Sequence, residues 1–255
     1  MLYDSHAHLD DPQFDGDREA VIQKIKSAGV GYLNNIGADM KTSAASINLA
    51  EENDFIYATV GVHPSETTDM TDSDIEELRR MAAHPKVVAI GEIGLDYHYE
   101  DTNKELQRKW FRRQLELAKE LELPVVIHDR ESGGECIAIL KEMGITNGVM
   151  HCYSGSAETA KELLDMGFHI SFTGVLTFKN AKKAVQAVSV IPMERLMIET
   201  DCPYMAPEPY RGTRNDSSYV GKVAEKMAEI KGLSVEEVER ITCENAKRFF
   251  KVSDI

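Results

Sequence analysis

The sequence predicts an α/β protein with the (β/α)8 (TIM) barrel architecture, in one domain spanning residues 1–255. Three observations carry that expectation. Short apolar runs alternate with longer amphipathic stretches eight times along the chain. Several runs are rich in Val and Ile and almost continuously apolar, as strands buried on both faces are. Six of the eight runs end in a histidine or an acidic residue, the position where a barrel gathers its active site. The competing open, doubly wound sheet places a glycine-rich turn after its first strand. Here His8-Leu9-Asp10-Asp11-Pro12 follows instead.

In chain order the expected strands are Leu2–Ser5, Val30–Asn35, Ile56–Val60, Val87–Gly91, Pro124–His128, Gly148–His151, His169–Thr173 and Arg195–Thr200. Between them, Asp17–Ala28 puts Val21, Ile22 and Ile25 on one helical face and stops at Gly29. Ser43–Asn53 follows. Ser73-Asp74-Ile75-Glu76 has the spacing of a capping box and opens a helix that ends near Pro85. Asn103–Leu121 is the longest helix, with Trp110, Phe111, Gln114, Leu115, Ala118 and Leu121 at core-packing spacing. Glu135–Met143, Ala157–Met166, Asn180–Val188, Ser217–Ile230 and Ser234–Phe250 complete the set, the last behind a second capping box, Ser234-Val235-Glu236-Glu237.

Composition narrows the functional classes. The formal net charge of −14 argues against a broad nucleic-acid-coating surface, which needs lysines and arginines against phosphates, but leaves room for a small basic pocket. The four cysteines, Cys136, Cys152, Cys202 and Cys243, contain no C-x-x-C and suggest neither a zinc knuckle nor a disulfide framework. No apolar run reaches the ~18 residues of a membrane-spanning helix. Charged residues occupy the segment where a signal peptide has its apolar core. A cytoplasmic protein without membrane association or an obligate protein partner is expected.

The chemistry begins at Asp4-Ser5-His6-Ala7-His8. In a strand, His6 and His8 point the same way, roughly 7 Å apart along the chain, and neutral imidazole is the commonest metal ligand. The other strand ends supply company: His63 in Gly61-Val62-His63-Pro64, Glu92 in Gly91-Glu92-Ile93-Gly94-Leu95-Asp96, His128 before Asp129-Arg130, His151 before Cys152-Tyr153-Ser154-Gly155, and Glu199 and Asp201 in Glu199-Thr200-Asp201-Cys202-Pro203. His6, His8, His128 and His151 with Glu92 and Asp201 are enough donors for two divalent ions. Mixed nitrogen and oxygen ligands suit Zn²⁺, Mn²⁺, Fe²⁺, Co²⁺ or Ni²⁺ better than a Ca²⁺ cage, and Mg²⁺ stays in range. Such a pair can activate water for in-line displacement, with a carboxylate bridging. His84 and His169 lie off the strand ends and are expected to be structural; His98 lies off them as well.

These stretches, with Pro124-Val125-Val126-Ile127-His128-Asp129-Arg130, Arg211-Gly212-Thr213-Arg214-Asn215 and Glu244-Asn245-Ala246-Lys247-Arg248-Phe249-Phe250, resemble the TatD-type metal-dependent deoxyribonucleases of the amidohydrolase superfamily. The resemblance covers the whole chain. It implies that His6, His8 and Asp201 hold one metal and His128 and His151 the other, with Glu92 bridging, and that the substrate is DNA. One departure stands out: Asp216-Ser217-Ser218 follows Arg214-Asn215 where the family more often has Glu-Pro, which bears on the substrate rim and not on the metal ligands.

The remaining roles follow from position. Asp201 is the candidate general base as well as a ligand, and Glu199 is its outer support or a structural pair. His63 is a substrate contact, a third metal position or a core histidine. Arg130 shares strand parity with His128 and is a phosphate contact; Arg211 and Arg214 sit after the eighth strand, where barrels often bind phosphate, or form a solvated pair. Tyr153 is a phosphate donor, a stacking surface or a packed tyrosine, and Lys179 a weaker phosphate contact. The expected activity is phosphodiester hydrolysis in DNA, as an exonuclease on short or single-stranded ends. Amide, ester or lactone hydrolysis is the alternative, and a non-catalytic metal-binding module the third reading.

Overall fold

The computed structural model describes residues 1–253. In chain order it contains β1 (Leu2–Ala7), α1 (Arg18–Ser27), β2 (Val30–Ile36), α2 (Met40–Glu52), β3 (Ile56–Val60), α3 (Asp72–Ala82), β4 (Val87–Asp96), α4 (Lys104–Glu120), β5 (Val125–Arg130), α5 (Glu135–Glu142), β6 (Gly148–Met150), α6 (Ala157–Asp165), β7 (His169–Phe172), α7 (Lys182–Val190), β8 (Leu196–Ile198), α8 (Val220–Lys231) and α9 (Val235–Phe250). The strands lie in the order β1 to β8. No helix among the described residues is long and apolar enough to cross a membrane.

Two compact units divide the chain. Unit 1 comprises Met1–Asn35, Cys152–Asp165 and the segment from His169 onward; unit 2 comprises Ile36–His151 and Met166–Phe168. In unit 1, β1 pairs parallel to β2 and β7 parallel to β8, and an Ala7–Cys202 bridge sets the chain after β8 beside β1. Helix α9 packs on both β1 and β8. Its Phe250 ring lies 6.1 Å from Tyr3, which stacks on Tyr32 at 5.4 Å. The capping box expected at Ser234 is present, with Ser234 Oγ accepting from Glu237 N and the Glu237 side chain returning to Ser234 N.

Unit 2 carries the parallel run β3–β4–β5–β6. All ten residues of β4 are buried, so the strand continues five residues past the Gly91 at which the sequence pattern ends it. Gly94 makes this possible: a Cβ there would lie 1.9 Å from the His128 carbonyl oxygen, and its φ of +153° is one that side chains rarely adopt. Helix α4 lies against β4 and buries Trp110, Phe111, Leu115 and Ala118 as expected. Two of its buried residues are polar. The Gln114 amide accepts from Val62 N at 2.7 Å and donates to Val62 O at 3.0 Å; the Gln107 amide does the same for Asp96, both at 2.9 Å. Each glutamine satisfies both backbone groups of one residue at a strand end, which fixes the ends of β3 and β4.

The starts of α2, α3 and α8 differ from the sequence pattern, the last because Ser217–Tyr219 forms a separate 3-10 turn before Val220. Helix α3 is capped by Thr71 with Asp74, not by Ser73 with Glu76; both quartets satisfy the spacing, and the one two residues earlier forms. Helix α2 begins at Met40 behind an Asp39–Thr42 box, three residues before Ser43.

Candidate metal centre

Each unit holds its own cluster of histidine and carboxylate side chains, the residue types that ligate metals. In unit 1, His6 lies in β1 and His8 just beyond it, while Asp201 follows β8. Backbone bonds lock these ends together: Asp201 N donates to His6 O at 2.9 Å and His8 N to Cys202 O at 2.8 Å. The histidine ring tips converge to 3.2 Å between their Nε2 atoms, and Asp201 Oδ1 sits 3.6 Å from His6 Nε2 and 3.4 Å from His8 Nε2. An ion with bonds of about 2.0–2.1 Å places neighbouring tetrahedral ligands about 3.3–3.4 Å apart, so these three atoms have the spacing of ligands around one ion. Asp201 is turned inward by a left-handed φ of +56°, a conformation Asp tolerates better than most residues.

Buried carboxylates support this group. Asp4 is fully buried and accepts from Thr200 N at 2.9 Å and Thr200 Oγ1 at 2.5 Å, tying β1 to the residue before Asp201. Burial pushes its carboxyl up to about 7, against the hydrogen bonds from Ser217, Thr200 and His6 that pull it down. Glu199 accepts from Cys152 N at 2.6 Å, Ser171 Oγ at 2.5 Å and Ser5 Oγ at 3.4 Å.

In unit 2, Glu92 of β4 meets His128 of β5 and His151 after β6. Glu92 Oε1 lies 2.7 Å from His128 Nδ1 and 2.7 Å from His151 Nε2, and those two nitrogens are 3.3 Å apart. His63 approaches from the end of β3, with Nε2 3.7 Å from Glu92 Oε1 and its ring edge-on to His128 at 4.4 Å. His63, Glu92 and His128 form a group able to hold a metal ion, so His63 belongs beside the ligands. Burial drives the His63 pKa down to about 3, despite the opposing pull of Glu92, which keeps it a neutral donor. Burial also lowers His128, but Asp96 and Glu92 outweigh it and leave its pKa raised.

The substrate-contact candidates divide. Arg130 and Arg211 are exposed, with guanidinium carbons 5.8 Å from the Tyr99 ring and 4.3 Å from the Phe178 ring. Lys179 is exposed as well. Arg214 is engaged instead: it donates to both Asp17 carboxylate oxygens at 2.9 and 2.6 Å and to Gln13 O at 2.6 Å, above the Phe14 ring. Tyr153 is buried, with its hydroxyl donating to Ser156 O at 2.6 Å, which matches the packed-tyrosine alternative. Asp216, at the departure from the family pattern, accepts from Lys24 Nζ at 2.6 Å and caps the turn Ser217–Tyr219. His84 pairs with Glu51 and His169 is buried against Phe249, both structural. Sequence reasoning assigned no role to Asp4 or Asp96. The alternation of β1 puts Asp4 on the face of His6, a signal that was available; the partners Thr200 and His128 were not.

Comparison with known proteins places the chain. The family model described as TatD-related DNase matches residues 3–251. The chain belongs to the TatD family. The metal-dependent hydrolase YabD of Bacillus subtilis is 48% identical over 255 residues, covering 99% of this chain and 100% of its own. The metal-dependent hydrolase YcfH of Escherichia coli is 39% identical over 257 residues, covering 99% and 96%. The crystal structure of YjjV, a TatD homologue from E. coli, superposes with a TM-score of 0.94 at 31% identity over 99% of this chain and 98% of its own. The fold class is therefore the (β/α)8 barrel that the strand pattern predicts. At this level the TatD chain is a metal-dependent hydrolase with buried His and Glu groups able to hold metal.

Proposed function

We propose that this TatD protein is a divalent-metal-dependent deoxyribonuclease that hydrolyses phosphodiesters from the ends of DNA, working with two ions. The observation that carries the reading is the presence of two donor groups, His6–His8–Asp201 and Glu92–His128–His151, each gathered within its own unit. When bound, the ions supply Lewis acidity toward water and phosphoryl oxygens. Zn²⁺, Ni²⁺ and Fe²⁺ suit the imidazole donors, and Mn²⁺ and Mg²⁺ suit the carboxylates. The placing of Glu92 as a carboxylate shared by both ions rests on the family resemblance.

The chain's own residues do the rest. Asp201 has a carboxylate at the histidine tips and takes the proton of the attacking water. Arg130 and Arg211 offer exposed guanidiniums to the phosphate charge, whereas Arg214 is occupied by Asp17. His6 and Asp201 are buried in one unit and Glu92 and His151 in the other, so an unpaired strand end reaches either group more readily than the middle of a stiff duplex.

The test is digestion of end-labelled single-stranded, linear duplex and closed circular DNA by the Mn²⁺-loaded protein, beside an aryl ester. The expected result is shortening of the linear substrates with circles intact. Equal cutting of circles overturns the end preference, and ester cleavage without DNA cleavage overturns the nuclease reading in favour of the carbonyl alternative.

A further inference from the structure

We infer that Asp96 is a positioning residue that fixes which nitrogen of His128 faces the metal. The inference rests on the proposed metal centre and adds a residue to it. His128 is held at both ring nitrogens: Nδ1 lies 2.7 Å from Glu92 Oε1 and 3.3 Å from His151 Nε2, while Nε2 lies 3.2 Å from Asp96 Oδ2. An ionised carboxylate only accepts, so Asp96 requires a proton on Nε2. In the neutral ring that would bind metal, the one N–H is then on Nε2 and the lone pair on Nδ1, the nitrogen beside Glu92 and His151. Without Asp96, the tautomer with the proton on Nδ1 would donate to Glu92. That arrangement would block the ligand nitrogen and occupy the ligand oxygen together.

The carboxylate is held for this purpose from several sides. Asp96 is 5% exposed. Its backbone N and O are both bound by the Gln107 amide at 2.9 Å, and its Oδ1 accepts from His98 N at 3.0 Å, leaving Oδ2 for His128. The β4–β5 register pairs Gly94 with His128 and Asp96 with Arg130, and the bare Gly94 lets the two strands close at that point. A ligating histidine whose other nitrogen donates to a carboxylate is a recurring feature of metal sites, and loss of the carboxylate costs about 10–100-fold in metal affinity.

The test is calorimetric Zn²⁺ titration of the wild type and Asp96→Asn, with ¹⁵N-resolved NMR of His128 in the Zn²⁺-loaded wild type at pH 8. The expected results are two binding events in the wild type, one of them about 10–100-fold weaker in Asp96→Asn while the other is unchanged, and an NMR signature of protonated Nε2 with metal on Nδ1. Two events of unaltered affinity in Asp96→Asn, or a proton on Nδ1 in the loaded wild type, overturn the inference and leave the metal centre standing. A wild type that binds no ion at His128 overturns both. The NMR arm decides the matter even where the variant fails to fold.

Discussion

The two donor groups solve the same problem differently. In unit 1 the atoms stand 3.2–3.6 Å apart, spaced as if around an ion. In unit 2 Glu92 sits at hydrogen-bond distance, 2.7 Å, from both imidazoles. The first group is kept open by backbone: Asp201 and His8 are set by bonds between the ends of β8 and β1. The second is closed by side chains, with Glu92, His128 and Asp96 in one hydrogen-bonded line. An ion entering the second group displaces a proton from that line, so the two groups respond differently to pH and to mutation.

The largest expected effect is at Asp201. Asp201→Asn removes the proton acceptor and reduces kcat by about 10²–10⁴-fold, while the ion at Glu92–His128–His151 stays bound, read by turnover and metal content on one sample. Loss of both ions would break the separation of the groups. Next comes Gly94→Ala, whose methyl group collides with the His128 carbonyl in a backbone conformation alanine resists. It is expected to lower stability by about 1–3 kcal/mol and to weaken metal binding in unit 2 alone, read by denaturant titration and calorimetry. Unchanged metal affinity would show that the strand contact does not set the ligands.

The smallest effect is the pH response of the metal-free protein. Because His128 is raised above its ordinary 6.5, its charge stabilises the fold fully below that value, and the contribution is lost as pH rises through the raised pKa. Melting temperature without metal should therefore fall on going from pH 6 to above the His128 pKa, and Zn²⁺ affinity should rise over the same range as the competing proton leaves. A melting temperature that does not fall with His128 intact would contradict the proton-closed picture.

Much of this was legible in the sequence because it is local. Strand runs follow from Val and Ile patterning, and the α9 cap from Ser234-Val235-Glu236-Glu237. The six ligand candidates were legible because strand ends converge in a barrel. What escaped depends on partners far along the chain. Asp4 meets Thr200 across 196 positions, and Arg214 meets Asp17 across 197, so a loop arginine that reads as a phosphate contact is tied down by an aspartate near the N-terminus. Strand β4 runs on past the apolar stretch Val87–Gly91 because the bare Gly94 lets it approach β5, a contact that no local pattern shows. Asp96 stands in the Gly91–Asp96 stretch that the sequence singles out, but nothing local pairs it with His128, 32 positions along the chain.

Anomalous diffraction from crystals grown with Mn²⁺ or Zn²⁺ tests the central claim most directly. Two peaks are expected, one within about 2.3 Å of His6, His8 and Asp201 and one within about 2.3 Å of Glu92, His128 and His151. A fully loaded crystal with no peak at either group, or with both ions elsewhere, would contradict it.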